Sequence, residues 1–205
     1  MNTSKESRNI SLILMAILAI IVSLYGLGFA FIPGVDGIFK SKSPELIAST
    51  FYITMFYTHT GLGGLALLVG FSQFFKKLRL KRLKLHKTLG KIYVISVLIS
   101  GATGLYIAYY ATGGIVSITG FSALAILWLY TTIMAFISIR KGNIDAHQRW
   151  MICSYALCFA AVTLRIYLGL SVALGIAFAT SYPIISWLCW VPNMVFALYK
   201  IKKIG

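Results

Sequence analysis

Four side chains in this sequence are of types that do chemistry: His59, His86, His147 and Arg165. The three histidines are the only ones in the chain. Imidazole ligates haem iron and transition metals and exchanges protons near neutral pH. His86 and His147 each stand where a basic stretch meets an apolar run. As a pair they could be the bis-imidazole ligands of a haem or part of a transition-metal site. The alternative is two interfacial histidines that cap neighbouring loops or touch headgroups. His59 and Arg165 instead fall inside apolar runs. A guanidinium inside a membrane span costs about 2.5–3.5 kcal/mol or more unless it is paired, hydrated or ligand-bound. The four acids, Glu6, Asp36, Glu45 and Asp145, all lie outside those runs. The partner of Arg165 is therefore either an anionic ligand (a haem propionate, a phosphate or a carboxylate) or backbone carbonyls, tyrosine hydroxyls or water. His59, Arg165, His86 and His147 together form the candidate cofactor-binding set, with His86 and His147 as the candidate metal ligands.

The elements that must position these residues follow from composition. The 205 residues are 59% hydrophobic and 11% charged, with mean hydropathy +0.87, whereas a soluble chain carries about 25% charged residues. Charge-free runs long enough to cross a bilayer, which takes about 20 residues, extend over Asn9 to Phe31, Phe51 to Phe75, Gly90 to Tyr110, Ser117 to Ile139, Met151 to Ala177 and Tyr182 to Tyr199. Continuous apolar runs satisfy their backbone only as helices, because a barrel strand would alternate and be half as long. The expected fold is an all-α integral membrane bundle of six spans, one transmembrane domain over residues 1–205 with no soluble domain. The exit of the first run, Phe31-Ile32-Pro33-Gly34, is too bulky for signal-peptidase cleavage, so that run is expected to stay as an anchor. Cys153, Cys158 and Cys189 all lie inside runs and read as small packing residues.

The net charge of +15 would suggest nucleic acid in a soluble protein. Here 16 of the 19 cations lie at the N-terminal tail, in Lys76 to Lys91, in Arg140 to Arg149 and at the C-terminal tail, all on one side if the spans alternate. The other side has Lys40 and Lys42. By the positive-inside bias both termini are cytoplasmic, in a bacterial inner membrane. The leucine-interleaved segment Lys76 to Lys91 is expected to lie on anionic lipid headgroups. No folded cytosolic module is left to bind nucleic acid. The outer loop Ile32 to Thr50, with turn signals at Pro33-Gly34, Asp36-Gly37 and Ser43-Pro44, is either a cap over the outer face or a linker.

Helical spacing groups the polar and small residues into stripes. The second span aligns His59, Gly63, Ala66, Gly70 and Gln73; the third aligns His86, Gly90, Tyr93, Ser100 and Gly104; the fifth aligns His147, Met151, Ser154, Cys158, Ala161 and Arg165. The small residues let helices approach closely. His59 lies eight residues in from Phe51, or roughly 12 Å. Arg165 is about 18 Å from the outer end of its run by the same rise. His59 is about 24 Å from the inner face, so the three histidines do not share one ion.

Over Phe51 to Leu170 the chain resembles a family of bacterial membrane proteins catalogued as domain of unknown function twenty-three-oh-six. The likeness rests on His59 with Gly63, Gly70 with Gln73-Phe74, His86-Lys87 with Gly90 and Tyr93, Gly104, Trp128, His147 with Arg149-Trp150-Met151, Ser154-Tyr155 and Arg165. It departs at Phe71, where the family usually has proline, at Cys153, where it usually has arginine, and at Lys87, where arginine is common. The missing cation at position 153 argues against an anion clamped there by an arginine pair. The resemblance implies a membrane bundle and no activity.

Four functional readings follow. One is a haem- or metal-binding protein in electron transfer or respiratory-complex assembly, although b-type cytochromes place paired histidines at matching depth within the spans and this chain has one such histidine. The second is a transporter or binding protein for a lipid or small molecule, with His59 and Arg165 lining a cavity. Transporters usually show internal repeats and broken helices; here no repeat is visible and Pro192 is the one clear breaker expected within a span. The third is an enzyme acting on a lipid or quinone. It lacks a serine-nucleophile motif, paired carboxylates or zinc-protease spacing and would need a histidine as its base. The last is a non-catalytic scaffold. A homo-oligomer or a respiratory-complex partner is compatible with each.

Overall fold

A computed structural model describes residues 13–24 and 39–203. The described residues form helices, α1 (Ile13–Leu24), α2 (Pro44–Ala48), α3 (Thr50–Ser72), α4 (Lys76–Lys81), α5 (Leu83–Tyr109), α6 (Gly114–Arg140), α7 (Ile144–Cys158), α8 (Ala160–Ala173), α9 (Phe178–Leu188) and α10 (Val191–Lys202), with one 3-10 turn at Phe39–Ser41. Five helical stretches are long and apolar enough to cross a membrane: α3, α5, α6, α7 with α8, and α9 with α10. The sixth expected span is represented by α1, which at about 1.5 Å per residue is shorter than a bilayer core. The remainder of Asn9 to Phe31, the Phe31-Ile32-Pro33-Gly34 exit, Asp36-Gly37 and the N-terminal charges lie outside the described residues.

Local chemistry sets the boundaries. Ser49 accepts from the Tyr52 N–H at 3.3 Å and starts α3; Asn143 accepts from the Ala146 N–H at 2.9 Å and starts α7, each satisfying a donor that the first helical turn leaves open. The turn between α5 and α6 uses Gly113 at φ +97°, where a Cβ would also lie 2.6 Å from the Pro183 ring and the Ser117 hydroxyl. The helix of the third span begins at Leu83 rather than Gly90, because lysine, arginine and leucine are good helix formers and the basic stretch simply continues the helix below the membrane. Leu80, Leu83 and Leu85 are exposed there among the cations.

Consecutive spans are neighbours: α3 packs on α5, α5 on α6, and α6 on α7, while α9 fits against α6 and α8 and α10 against α7. The core holds Leu67, Tyr93, Val97, Leu157 and Val162, all essentially buried. Gly70 makes part of it possible, since a Cβ there would sit 2.6 Å from Tyr155 and 2.8 Å from Tyr93. Tyr155 spends its hydroxyl on the Leu67 carbonyl at 3.2 Å.

The last two spans, Ile144–Ala173 and Phe178–Lys202, each carry a short interruption of the helical hydrogen bonding, slight in the fifth, where Phe159 keeps helical φ −68° and ψ −11°. The fifth breaks at Phe159 between α7 and α8, where the Phe159 carbonyl takes the Val162 N–H at 2.9 Å. The sixth breaks at Cys189-Trp190, and α10 restarts with Pro192 in its first turn, a position that tolerates the missing N–H. Pro183 sits inside α9, and the helix runs through it. The two breaks are tied together. Thr163 donates to the Cys189 carbonyl, and the Asn193 amide reaches the Ala156 carbonyl at 3.3 Å, the Thr163 hydroxyl at 3.2 Å and the Cys189 carbonyl at 3.1 Å.

Candidate functional site

A cavity of about 210 Å³ opens between α3, α5, α6, α8 and α9 at the end of the bundle away from the basic face. Its walls are largely apolar and aromatic, with Tyr52, Phe56, Phe121, Trp128 and Tyr182 among them. The charged side chains among the described lining residues are Lys42 and Arg165, and His59 stands with them. No described Asp or Glu lines it. Ala160 and Cys189, one at each helix break, are also part of its wall.

The stripes on α3 and α5 meet here. His59 Nδ1 lies 2.8 Å from the Ser100 carbonyl oxygen, and a carbonyl only accepts, so Nδ1 carries the hydrogen and Nε2 is the unprotonated nitrogen of the neutral ring. Ser100 returns its hydroxyl to the His59 carbonyl at 2.9 Å. Gly104 leaves the space for the ring, since a Cβ there would lie 2.7 Å from His59 Nδ1. Counting from Thr50 and from Ala173, His59 and Arg165 lie about 12–14 Å inside their helices at 1.5 Å per residue. Both line the same cavity. Arg165 also donates from Nη1 to the Ala161 carbonyl at 2.7 Å, one turn earlier on α8, which orients the guanidinium along its own helix.

Lys42 is the residue that sequence reasoning passed over, having counted only its charge for topology. Its ammonium donates to the Tyr110 carbonyl and, at 3.1 Å, to the Thr112 hydroxyl, while the Ser41 and Thr112 hydroxyls are 2.9 Å apart. Tyr52 and Tyr110 meet edge to face at 5.5 Å. The described part of the outer loop is thus a cap over the cavity mouth rather than a linker. Burial pushes the Lys42 amine below the usual lysine range.

His86 and His147 are at the opposite, basic end. His147 Nδ1 donates to the Ala135 carbonyl of α6 at 2.9 Å, which again leaves Nε2 as the basic nitrogen. His86 Nδ1 is buried with no hydrogen-bond partner among the described residues. His59 is not with them: Ser100, its partner, is fourteen residues along α5 from His86, about 21 Å. Among the described residues no group of three or more His, Cys, Asp or Glu is placed to hold a metal ion. Two imidazoles fall short of a closed tetrahedral zinc site but match the axial ligand number of a haem.

Between the two ends lies a buried polar junction. The Tyr93 hydroxyl and Ser154 Oγ are 2.7 Å apart, Ser154 Oγ and Thr132 Oγ1 2.6 Å, and Thr132 donates to the Trp128 carbonyl at 2.7 Å. It joins α5, α6 and α7 where the stripes through Tyr93 and Ser154 face each other. Asn193, which ties the breaks, was legible only as a polar residue beside Pro192 in an apolar run.

The chain belongs to the family described as predicted membrane protein, domain of unknown function 2306, whose model matches residues 56–201. The match extends past Leu170, so the last span, with its break and Asn193, is part of the family unit. No curated protein and no solved structure matches the chain.

Proposed function

We propose that this protein binds, and by its broken spans moves, a small amphipathic anion in the cavity lined by Lys42, His59 and Arg165. The observation that carries the reading is that Lys42, just after the 3-10 turn, His59 of α3 and Arg165 of α8 bring three basic side chains to one largely apolar cavity. Such a cavity suits a ligand with one anionic group and an apolar body. Both discontinuous spans contribute to its wall, as discontinuous helices do at the sites of many transporters. If the basic face is cytoplasmic, the mouth under Lys42 opens outward across a bacterial inner membrane, and Lys76 to Lys91 rests on anionic headgroups.

The test is equilibrium binding of octanoate to protein in lipid nanodiscs. Saturable one-to-one binding is expected, and Arg165→Gln should weaken it by at least tenfold, since a buried charge-assisted pair contributes about 1.5–3 kcal/mol. Binding that is absent in the wild type, or unchanged in the variant, contradicts the reading.

A second reading concerns His86 and His147 as ligands of a haem or transition metal, in electron transfer or respiratory-complex assembly. The observation that favours it is the Nδ1–H to Ala135 contact of His147, the arrangement by which metal-binding histidines are commonly oriented. Purified protein should then carry about one haem, seen as a redox-sensitive Soret band, or one metal ion per chain, lost in His86→Ala and His147→Ala. Folded protein that is colourless and metal-free contradicts it.

A further inference from the structure

We infer that His59 is the proton acceptor of the cavity, so that the anion is bound together with one proton. The inference rests on the anion-binding reading above and deepens it. The carbonyl of Ser100 fixes the tautomer: with Nδ1 holding its hydrogen at 2.8 Å from that oxygen, Nε2 is the only nitrogen of the neutral ring with a lone pair. The ring cannot turn freely to hide it, because Gly104 encloses the Nδ1 edge at a distance that a single added carbon would close to 2.7 Å, and Ser100 Oγ holds the His59 carbonyl at 2.9 Å. His59 lines the same cavity as Arg165, and its Nδ1 is the nitrogen already engaged by the Ser100 carbonyl.

The charge in that space explains when the proton arrives. The titratable or charged groups that line it with His59 are Lys42 of the capping turn, Tyr52 on α3, Cys158 on α7, Arg165 on α8, and Tyr182 and Cys189 from the α9 side. The lining residues of α1, α5 and α6 include none. At neutral pH phenols and thiols are uncharged, so the fixed charges around the ring are the two cations. Beside a guanidinium an imidazolium is disfavoured. When a carboxylate settles on Arg165, its negative charge reverses that balance and the Nε2 lone pair takes a proton. The balance is complete: the ligand arrives already ionised, the buffered solvent gives up one proton, that proton bonds to the Nε2 lone pair, and the site has taken up an anion and a proton, the equivalent of a neutral acid held as an ion pair. No other donor or oxidant is required. A ligand loaded in this way crosses the site without net charge, which lowers the cost of holding an anion about 12 Å inside the membrane helices.

The experiment uses the full chain in nanodiscs with two probes, octanoate and octanesulfonate. The sulfonate stays ionised at every pH used, and a carboxylic acid with a pKa of roughly 4–5 is ionised above pH 6, so a pH dependence common to both belongs to the protein. Isothermal titration between pH 6 and pH 8.5, in buffers of differing ionisation enthalpy, should show about one proton taken up per anion and affinity at least tenfold weaker at the high end. His59→Asn keeps an amide N–H for the Ser100 carbonyl and removes Nε2. In that variant, binding at every pH should be as weak as that of the wild type at pH 8.5, at least tenfold below the wild type at pH 6, with no pH dependence and no proton taken up. Wild-type protein that binds both anions in an Arg165-dependent way without proton uptake overturns this inference and leaves the binding reading intact. Wild-type protein that binds neither overturns both. Because the proton count is measured on the wild type, the inference is decided even if His59→Asn fails to fold.

Discussion

His59, Arg165 and Lys42 come from three segments far apart in the chain, and only their placement on one cavity turns three basic residues into a site. Two of the three could be picked out beforehand, since an arginine and a histidine inside apolar runs are conspicuous. Lys42 could not be, because a lysine near a span end is ordinary, and its role depends on the acceptors Tyr110 and Thr112 about seventy residues later. The burial that depresses its pKa gives a prediction with a definite sign. The unfolded chain holds this proton at pH values where the folded protein has begun to release it, so the unfolded state binds more protons there. Stability contributed by this position therefore rises with pH on approaching about 10.4 from below. Comparing unfolding midpoints of the wild type and Lys42→Met across pH 8 to 10 should show the wild type gaining on the variant. A constant difference would mean that Lys42 is not desolvated. The same variant should weaken octanoate binding by about threefold to tenfold, a loss of roughly 1 kcal/mol for a partly hydrated ammonium.

At the scale of elements, hydropathy located the spans well and their interiors poorly. The apolar runs that predict α3, α5 and α6 end within a few residues of these helices except where basic residues prolong α5. The breaks at Phe159 and Cys189-Trp190 leave no trace in hydropathy, because the residues on both sides of each are apolar and the run continues through them. Pro192 signals one break; nothing of comparable strength signals the one at Phe159, which is tied to the sixth span by Thr163 of α8 donating to Cys189 and by Asn193 of α10 donating to Ala156 and Thr163. The pairing of stripes was better marked. His59 and Gly63 meet Ser100 and Gly104, and Tyr93 meets Ser154, since small and polar residues on each helix could only be accommodated against one another. If Asn193 ties the two breaks, Asn193→Ala should lower stability by about 1 kcal/mol, in the range for interhelical hydrogen bonds in membranes, and a denaturant titration in mixed micelles would read it. It should also weaken anion binding, because Ala160 and Cys189 shift with the breaks. Unchanged stability and binding would mean that packing alone sets the discontinuities.

For the whole molecule, the distribution of charge and the distribution of function are separate. The basic face gathers most of the cations, together with His86 and His147, whereas the cavity at the other end holds Lys42 and Arg165. Most of the net charge of +15 therefore sits away from the cavity, and the total says nothing of the ligand. The membrane bundle was legible from composition and run length; the cavity was not, because it exists only where five spans leave a gap beneath a cap formed by the outer loop. The central claim is that an anion occupies that gap against Arg165. Solid-state NMR of protein labelled with ¹⁵N-arginine in lipid, loaded with octanoate carrying ¹³C at its carboxyl carbon, measures this contact directly. A carbon–nitrogen separation of about 4 Å, as a hydrogen-bonded carboxylate and guanidinium require, is predicted, and it should vanish in Arg165→Gln. Saturable octanoate binding without that dipolar contact would contradict the account.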